Sequence, residues 1–478
     1  MRYATVLQNW ERIRTDTFRS PILETVEYTG ISGLVDGQAT FKSRITAICG
    51  FNGVGKTAFL KAIWTALDKD AVFREGGFDE RLGQATVKLS LRVNNSVIQR
   101  LLDKGDDKSS DPIPENIEIL YHDCAAEALN LQQFFRNINS IEDALNGLDP
   151  ELLDENALTR HCYIIGKEYT SAEIFEVDSF EPLRPFFRVT EGNTTYDTRS
   201  MSLGELSVFL LLWKLDRMPN NSICLIEEPE TYISATAQRH MLHVIVDTSI
   251  RKRLSFVFST HSPQLVENLK NDELLILYSG IAGTKFLEPA GYPKFLKKLG
   301  LQRHKKLLVF VEDAAARRLC SRIIRQNDLL ATLEIEILPT AGAAIITDLR
   351  EKIPREAQSV AFVGVYDGDM EGKIQSSEKS WPCLYLPGER ALELELKQLV
   401  LNDLEAAAKY LNCDREDLEL SISVIRGIEY HDWVPELAKS LSIPLERIWD
   451  QLIEFWLNIP ENSTKAKEFA QELSEYIA

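Results

Sequence analysis

The stretch "GFNGVGKT" at 50–57 constrains this chain more than any other, because it fits G-x-x-x-x-G-K-T. It follows "RITAIC" (44–49), a short apolar run of strand type, and precedes "AFLKAIWTAL" (58–67), whose apolar residues recur at helical spacing. Strand, glycine loop and helix in that order make a phosphate-binding loop. Gly50, Gly53 and Gly55 let backbone N–H groups turn toward phosphate, Lys56 brings a cation to the outer phosphates, and Thr57 offers a hydroxyl to Mg²⁺. An α/β fold is implied.

Three further pieces follow. "SLGE" (202–205) stands before an apolar helix, where a hydroxyl and a glycine form a second phosphate-binding end; the same residues also read as a simple helix cap with its acid three positions on. "SICLIEEPE" (222–230) is an apolar strand ending in Glu227 and Glu228, one acid for Mg²⁺ and one to orient an attacking water. "LSFVFSTHSPQL" (254–265) is another strand, and His261 at its end can donate to a terminal phosphate.

At 478 residues, two or three domains are expected. The longest apolar run, in "LSVFLLLWKL" (206–215), falls well short of the roughly 18 residues that span a bilayer. No basic-then-apolar leader opens the chain, and seven scattered cysteines without a C-x-x-C pair read as reduced thiols, so a cytoplasmic protein without disulfides or zinc is expected. The net charge of −18 argues against nonspecific coating of nucleic acid. Residues 294–325 run the other way: ten lysines and arginines, among them Lys294, Arg303, Arg317 and Arg318, stand against Glu312 and Asp313, for a net of +8. That segment is read as a surface facing a polyanion.

After about 290 a second α/β unit begins. Strands are expected at 305–313, 333–344, 359–373 and 381–396, the last passing through Pro387-Gly388 to Glu393 and Glu395, with a helix at 314–326. Parallel strands would bring Glu312, Asp313, Asp367 and Asp369 to one rim. Crowded carboxylates raise one another's pKa, so the set makes chemical sense chiefly around Mg²⁺ or Mn²⁺. From 400 onward, amphipathic helices would cover that sheet or clamp nucleic acid, and His431, Lys465 and Lys467 carry default structural or solvated readings.

The four N-terminal motifs together resemble an ATP-binding-cassette ATPase of the chromosome-maintenance and RecF-like branch, over about residues 1–295 with an insertion at about 125–195. The resemblance implies ATP held by Asn52, Gly53, Gly55, Lys56, Thr57 and Ala58, with Glu227, Glu228 and His261 around its phosphates and Ser202 and Gly204 of a second copy closing the site, hence a homodimer. The glutamine loop of such folds has only Asp123 and Gln132 as candidates. Residues 304–400 resemble a Toprim domain, with Glu312 after the first strand, Asp367 and Asp369 as its D-x-D, and Glu393 after the proline-glycine turn. An ATPase of this type before a Toprim domain and a helical segment at 401–478 is the arrangement of OLD (overcoming lysogenization defect) nucleases. It implies a metal-dependent nuclease of DNA, with Lys373 and Arg390 as basic candidates near the scissile phosphate. The chain's shortness resembles the compact OLD proteins encoded beside retrons, whose implied partners are a reverse transcriptase and its RNA–DNA product in antiviral defence. The alternative is an ATP-driven DNA-binding or repair scaffold with a degenerate Toprim part. Ala316 favours it, standing where many Toprim domains have another acid. Three outcomes are open: Asp313 substitutes for it, a second metal leans on Glu393 instead, or there is only one tight site. Primase or topoisomerase chemistry is disfavoured, as neither a zinc module nor a tyrosine-bearing cleavage domain is apparent.

Overall fold

The computed structural model describes residues 3–15, 21–68, 70–71, 79–93, 96–102, 111–178, 182–301, 305–327, 331–354, 360–374 and 380–476. Arg303 and the expected domain start at 304 lie outside these. The chain divides into two compact units, Met1–Gln302 and Arg303–Ala478.

The first unit is built on a six-stranded sheet. In spatial order its strands are Gly283–Phe286, Leu274–Gly280, Ile45–Gly50, Ser255–Thr260, Ile223–Glu227 and Ile119–Asp123, all parallel except the first. Ile45–Gly50 and Ser255–Thr260 are buried at every position, which is why they read as unbroken apolar runs. The register sets Glu227 opposite both Ser259 and Asp123, and Thr260 opposite Cys49. The strand ends are therefore level, and the phosphate loop, the acid pair and the histidine share one rim. The insertion is the helix Cys124–Arg136 followed by an antiparallel sheet of Glu151–Leu152, Tyr169–Val177, Arg184–Glu191 and Thr194–Asp197. Phe186 and Phe187 pack it onto Phe209 of the helix Leu203–Arg217.

The second unit holds four parallel strands in the order Ile335–Pro339, Leu307–Val311, Ala361–Tyr366 and Cys383–Tyr385. Val311 lies opposite Val365 and Pro339, so the residues that follow these strands, Glu312 and Asp367 among them, stand side by side. The fourth strand is shorter than its sequence suggested. Pro387 offers no N–H and Gly388 takes a φ of 143°, so the ladder ends there. Glu393 and Glu395 consequently lie in the first turn of the helix Leu392–Asn402. Five more helices, from Leu404–Leu411 to Pro460–Ser474, share one core with the sheet: Leu307, Val309 and Val363 belong to the same cluster as Trp433, Leu452 and Trp456. Of the two roles open to these helices, completing the core is the visible one.

The two turns of the second rim touch. A Cβ on Gly368, the centre of D-G-D, would lie 1.9 Å from the Gly388 carbonyl oxygen. Gly368→Ala is expected to destabilise the second unit by about 2–4 kcal/mol, since backbone cannot yield as a side chain does. Chemical denaturation followed by tryptophan fluorescence measures this, and an unchanged midpoint would refute the close packing of the turns.

Candidate functional site

In the first rim, the loop ahead of the helix Lys56–Leu67 turns through Gly53 and Gly55, with φ of 78° and 94°. Gly55 has a second reason to be glycine, because a Cβ there would lie 2.5 Å from Leu34 Cδ1. Asn52 and Thr57 are exposed beside it, while Ala58 is buried under the loop. Lys56 Nζ folds back to the carbonyls of Gly50 and Phe51, both at 3.2 Å, and to His261 Nε2 at 2.6 Å. Burial lowers the pKa of Lys56, opposed first by Glu228. Glu228 Oε1 stands 3.3 Å from His261 Nε2, and its backbone takes the left-handed φ of 42°. The contact with His261 holds this carboxyl below its ordinary range.

Glu227 accepts from Tyr121 Oη at 2.6 Å and bonds the Thr57 hydroxyl; burial is the main cause that raises its pKa. Tyr121 is stacked on Trp64 at 4.2 Å, which fixes the donor. Glu230 accepts from Thr260 Oγ1 at 2.8 Å and from the His261 N–H at 2.6 Å, tying the acidic loop to the histidine. Sequence reasoning missed both residues. Tyr121 had a signal, since strand alternation puts it on the face of Asp123, opposite Glu227. The two glutamine-loop candidates have other work: Asp123 caps the helix Cys124–Arg136, and buried Gln132 donates to the Thr198 and Met201 carbonyls.

Ser202 caps the helix Leu203–Arg217 in a reciprocal capping box with Glu205, so the plain reading of this stretch holds within one copy of the chain. Gly204 is required by packing, as its Cβ would lie 2.5 Å from the Tyr232 carbonyl oxygen.

In the second unit, Glu312 Oε1 accepts the Asp367 N–H at 2.9 Å and the same carboxylate accepts a backbone bond from Ala343, which opens the helix after Gly342. Asp313 Oδ1 accepts the Ala316 N–H at 2.8 Å, capping the helix Ala314–Asn327. Position 316 is thus a capped helical turn, with its alanine buried in the core. Glu393 is buried, with His431 Nδ1 at 3.7 Å. Asp369 is exposed and faces Lys373 at 3.6 Å. Burial first, then the charges of Glu312, Asp313, Glu393 and Asp369, push Asp367 up to about 8. Burial likewise raises Glu312, assisted by Asp369 and Asp313, and raises Glu393, assisted by Asp313.

This donor set suits a hard divalent cation in its chemistry: oxygen ligands only, with unrelieved negative charge. Among the described residues, however, no three His, Cys, Asp or Glu side chains are already arranged as a metal cage. The expected ligands are neighbours that repel one another, short of a preformed site.

The basic segment spans the boundary between the two units. Lys294, Lys297 and Lys298 belong to the first unit and the rest to the second. Arg318 pairs with Glu446 and lies 5.8 Å from the Trp449 ring centre, Arg322 pairs with Glu454, Lys305 with Glu336, and Lys306 with Glu334. Arg318 is therefore spent on holding the helix Leu445–Leu457, because an apolar core flanked by acids recruits the long basic side chains nearest to it. Arg317 remains exposed. Lys465 pairs with Glu461 along its own helix.

Comparison with known proteins supports the first unit. A family model described as "AAA domain, putative AbiEii toxin, Type IV TA system" matches residues 129–267, the span holding Ser202, Glu227, Glu228 and His261. No curated protein matches the chain. Among solved structures it is similar to an SMC head domain from Thermotoga maritima, at 16% identity over 55% of this chain and 98% of that one, with a TM-score of 0.35. It is also similar to an SmcHead bound to the C-winged helix domain of ScpA (12% identity, 55% and 97%, TM-score 0.37) and to an Smc head with an extended coiled coil bound to the C-terminal domain of ScpA, derived from Pyrococcus furiosus (14%, 59% and 100%, TM-score 0.35). Among the described residues no helix is long and apolar enough to cross a membrane. The chain carries an AAA-type, P-loop ATPase domain in a mixed α/β fold with a C-terminal helical segment.

The raised pKa of Asp367 fixes the sign of a pH effect. The folded chain holds this proton up to about 8 against 3.8 for an ordinary aspartate, so stability is full at low pH and falls as pH climbs between those values. Asp367→Asn keeps the shape of the protonated acid without its charge. It is expected to match wild type below pH 4 and to exceed it by about 2 kcal/mol or more near pH 9 in denaturant unfolding of metal-free protein. Equal stability at both values would show that Asp367 is not held in this crowd.

Proposed function

We propose that this protein is an ATP-regulated, divalent-metal-dependent DNA nuclease of the OLD type, acting in the cytoplasm in bacterial antiphage defence. One observation carries the nuclease half: Asp367 is half-buried among Glu312, Asp313, Asp369 and Glu393 at the carboxyl rim of a parallel sheet, with its own N–H on Glu312. Natural folds keep such a crowd where a cation relieves it. Bound Mg²⁺ or Mn²⁺ would supply an activated water and a counter-charge for the leaving oxygen. Glu312 and Asp367 would hold it first, with Asp313, Asp369 and Glu393 completing one or two sites. Lys373, beside Asp369, and exposed Arg390 are the basic side chains nearest the two turns in sequence.

In the ATPase half, Lys56 and the N–H groups of the loop from Asn52 to Ala58 would take the phosphates, Thr57 and Glu227 the Mg²⁺, Glu228 the attacking water, and His261 the terminal phosphate. Nucleotide binding must then part Lys56 from His261. Ser202 and Gly204 would meet the nucleotide of a second copy, giving a homodimer that acts on DNA. A retron reverse transcriptase with its RNA–DNA product is the partner this reading favours.

The second reading, an ATP-driven DNA-binding or repair scaffold, is favoured by two facts: no ready cage stands among the described acids, and Asp313, one candidate substitute for the acid missing at 316, is engaged as a helix cap. Plasmid, linear and single-stranded DNA incubated with the full chain and Mg²⁺ or Mn²⁺ separates the two. Glu312→Ala and Asp367→Ala are expected to lower cleavage by about a hundredfold or more while ATP turnover persists, and Lys56→Ala to abolish turnover. Intact turnover with no cleavage of any substrate supports the scaffold.

A further inference from the structure

The insertion between the phosphate loop and the second acidic strand has a task that its sequence did not disclose. A capping box needs one oxygen of its acid, and here Glu205 Oε2 meets that need, accepting the Ser202 N–H at 3.0 Å and the Ser202 hydroxyl at 2.8 Å. The other oxygen, Oε1, is gripped by the inserted sheet. Tyr169 Oη donates to it at 2.8 Å, Tyr196 Oη at 2.6 Å, and Lys167 Nζ stands 2.9 Å away. Tyr169 and Tyr196 come from two strands of that sheet, Tyr169–Val177 and Thr194–Asp197, and Lys167 from the residues just before the first. Lys167 also reaches the Tyr196 hydroxyl at 2.9 Å and pairs with Glu191 on a third strand. Glu205 is buried, and this ring of donors holds its carboxyl down at about 2 despite that burial, so the charge persists at every ordinary pH.

We propose that Lys167, Tyr169 and Tyr196 are positioning residues which, through Glu205, set the Ser202 hydroxyl and the first turn of its helix for engagement of a nucleotide bound to a second copy of the chain. The insertion is thus the part that licenses assembly on ATP. This rests on the two-copy ATPase reading above. A helix held only by its cap would tolerate loss of the Oε1 donors. A hydroxyl that must meet a phosphate across an interface would not, because an ångström of drift there costs far more than it does in a cap.

The test uses the full chain with ATP and Mg²⁺. The Tyr169→Phe/Tyr196→Phe double variant keeps both rings and removes both hydroxyls. Lys167→Met, at a half-exposed position, serves if the double variant does not fold. Nucleotide affinity is read at a protein concentration where the chain is monomeric, self-association by sedimentation velocity with and without ATP, and turnover as a function of protein concentration. The expected result is a folded chain with a lowered thermal midpoint and unchanged ATP affinity, with ATP-dependent self-association and turnover lowered by about tenfold or more. Wild-type assembly and turnover in both variants would overturn the proposal, as would a parallel loss of ATP affinity, which marks a merely structural role. If the unaltered chain binds ATP but never self-associates, the two-copy reading fails first and takes this inference with it.

Discussion

The hydrogen bond from the Asp367 N–H to Glu312 Oε1 is the contact on which the second unit's site depends. It joins the ends of two adjacent parallel strands, and it exists because Val311 and Val365 share a register that leaves both acids at the same height. Level strand ends force carboxylates together that water would otherwise keep apart. The cost appears as protons held by Asp367, Glu312 and Glu393 beyond their ordinary range, with burial the first cause in each. Gly368 and Gly388 make the crowding tighter, since no side chain separates the two turns.

The first rim meets the same problem differently. Glu227, Glu228 and Glu230 also crowd a strand end, but Tyr121, His261, Thr260 and Lys56 are on hand to donate. That rim answers most of its charge internally, with its cation folded back onto its own loop and histidine, although Glu230 Oε2 is buried without a hydrogen-bond partner among the described residues. The second rim has Lys373 and His431 only at its margins among the described residues, at 3.6 and 3.7 Å from Asp369 and Glu393. The difference predicts different demands for counter-charge: nucleotide displaces existing contacts in the first unit, whereas a cation fills a deficit in the second.

Much of this was legible in the chain. The phosphate loop, the two acidic strand ends and the histidine lie where their apolar runs stop, because buried parallel strands leave a strong local signature. Asp367 and Glu312 were legible for the same reason. Tertiary partnerships were not. Nothing local marks Asp313 as a cap, Arg318 as the partner of Glu446, or Lys167, Tyr169 and Tyr196 as donors to an acid up to 38 positions away, since each depends on packing between distant segments. The fourth strand was overextended because "ALELEL" alternates like a strand while its acids in fact open a helix after Pro387-Gly388.

The central claim is that the second rim is a cation site kept partly protonated by its own crowding. Its most direct test is calorimetric titration of Mg²⁺ or Mn²⁺ into nucleotide-free protein near pH 7, in buffers of different ionisation enthalpy, so that protons released per ion bound are counted. With Asp367 at about 8, the account predicts about one proton released per ion, and none in Asp367→Asn. Absence of binding, or binding with no proton release and no dependence on Asp367, would contradict it.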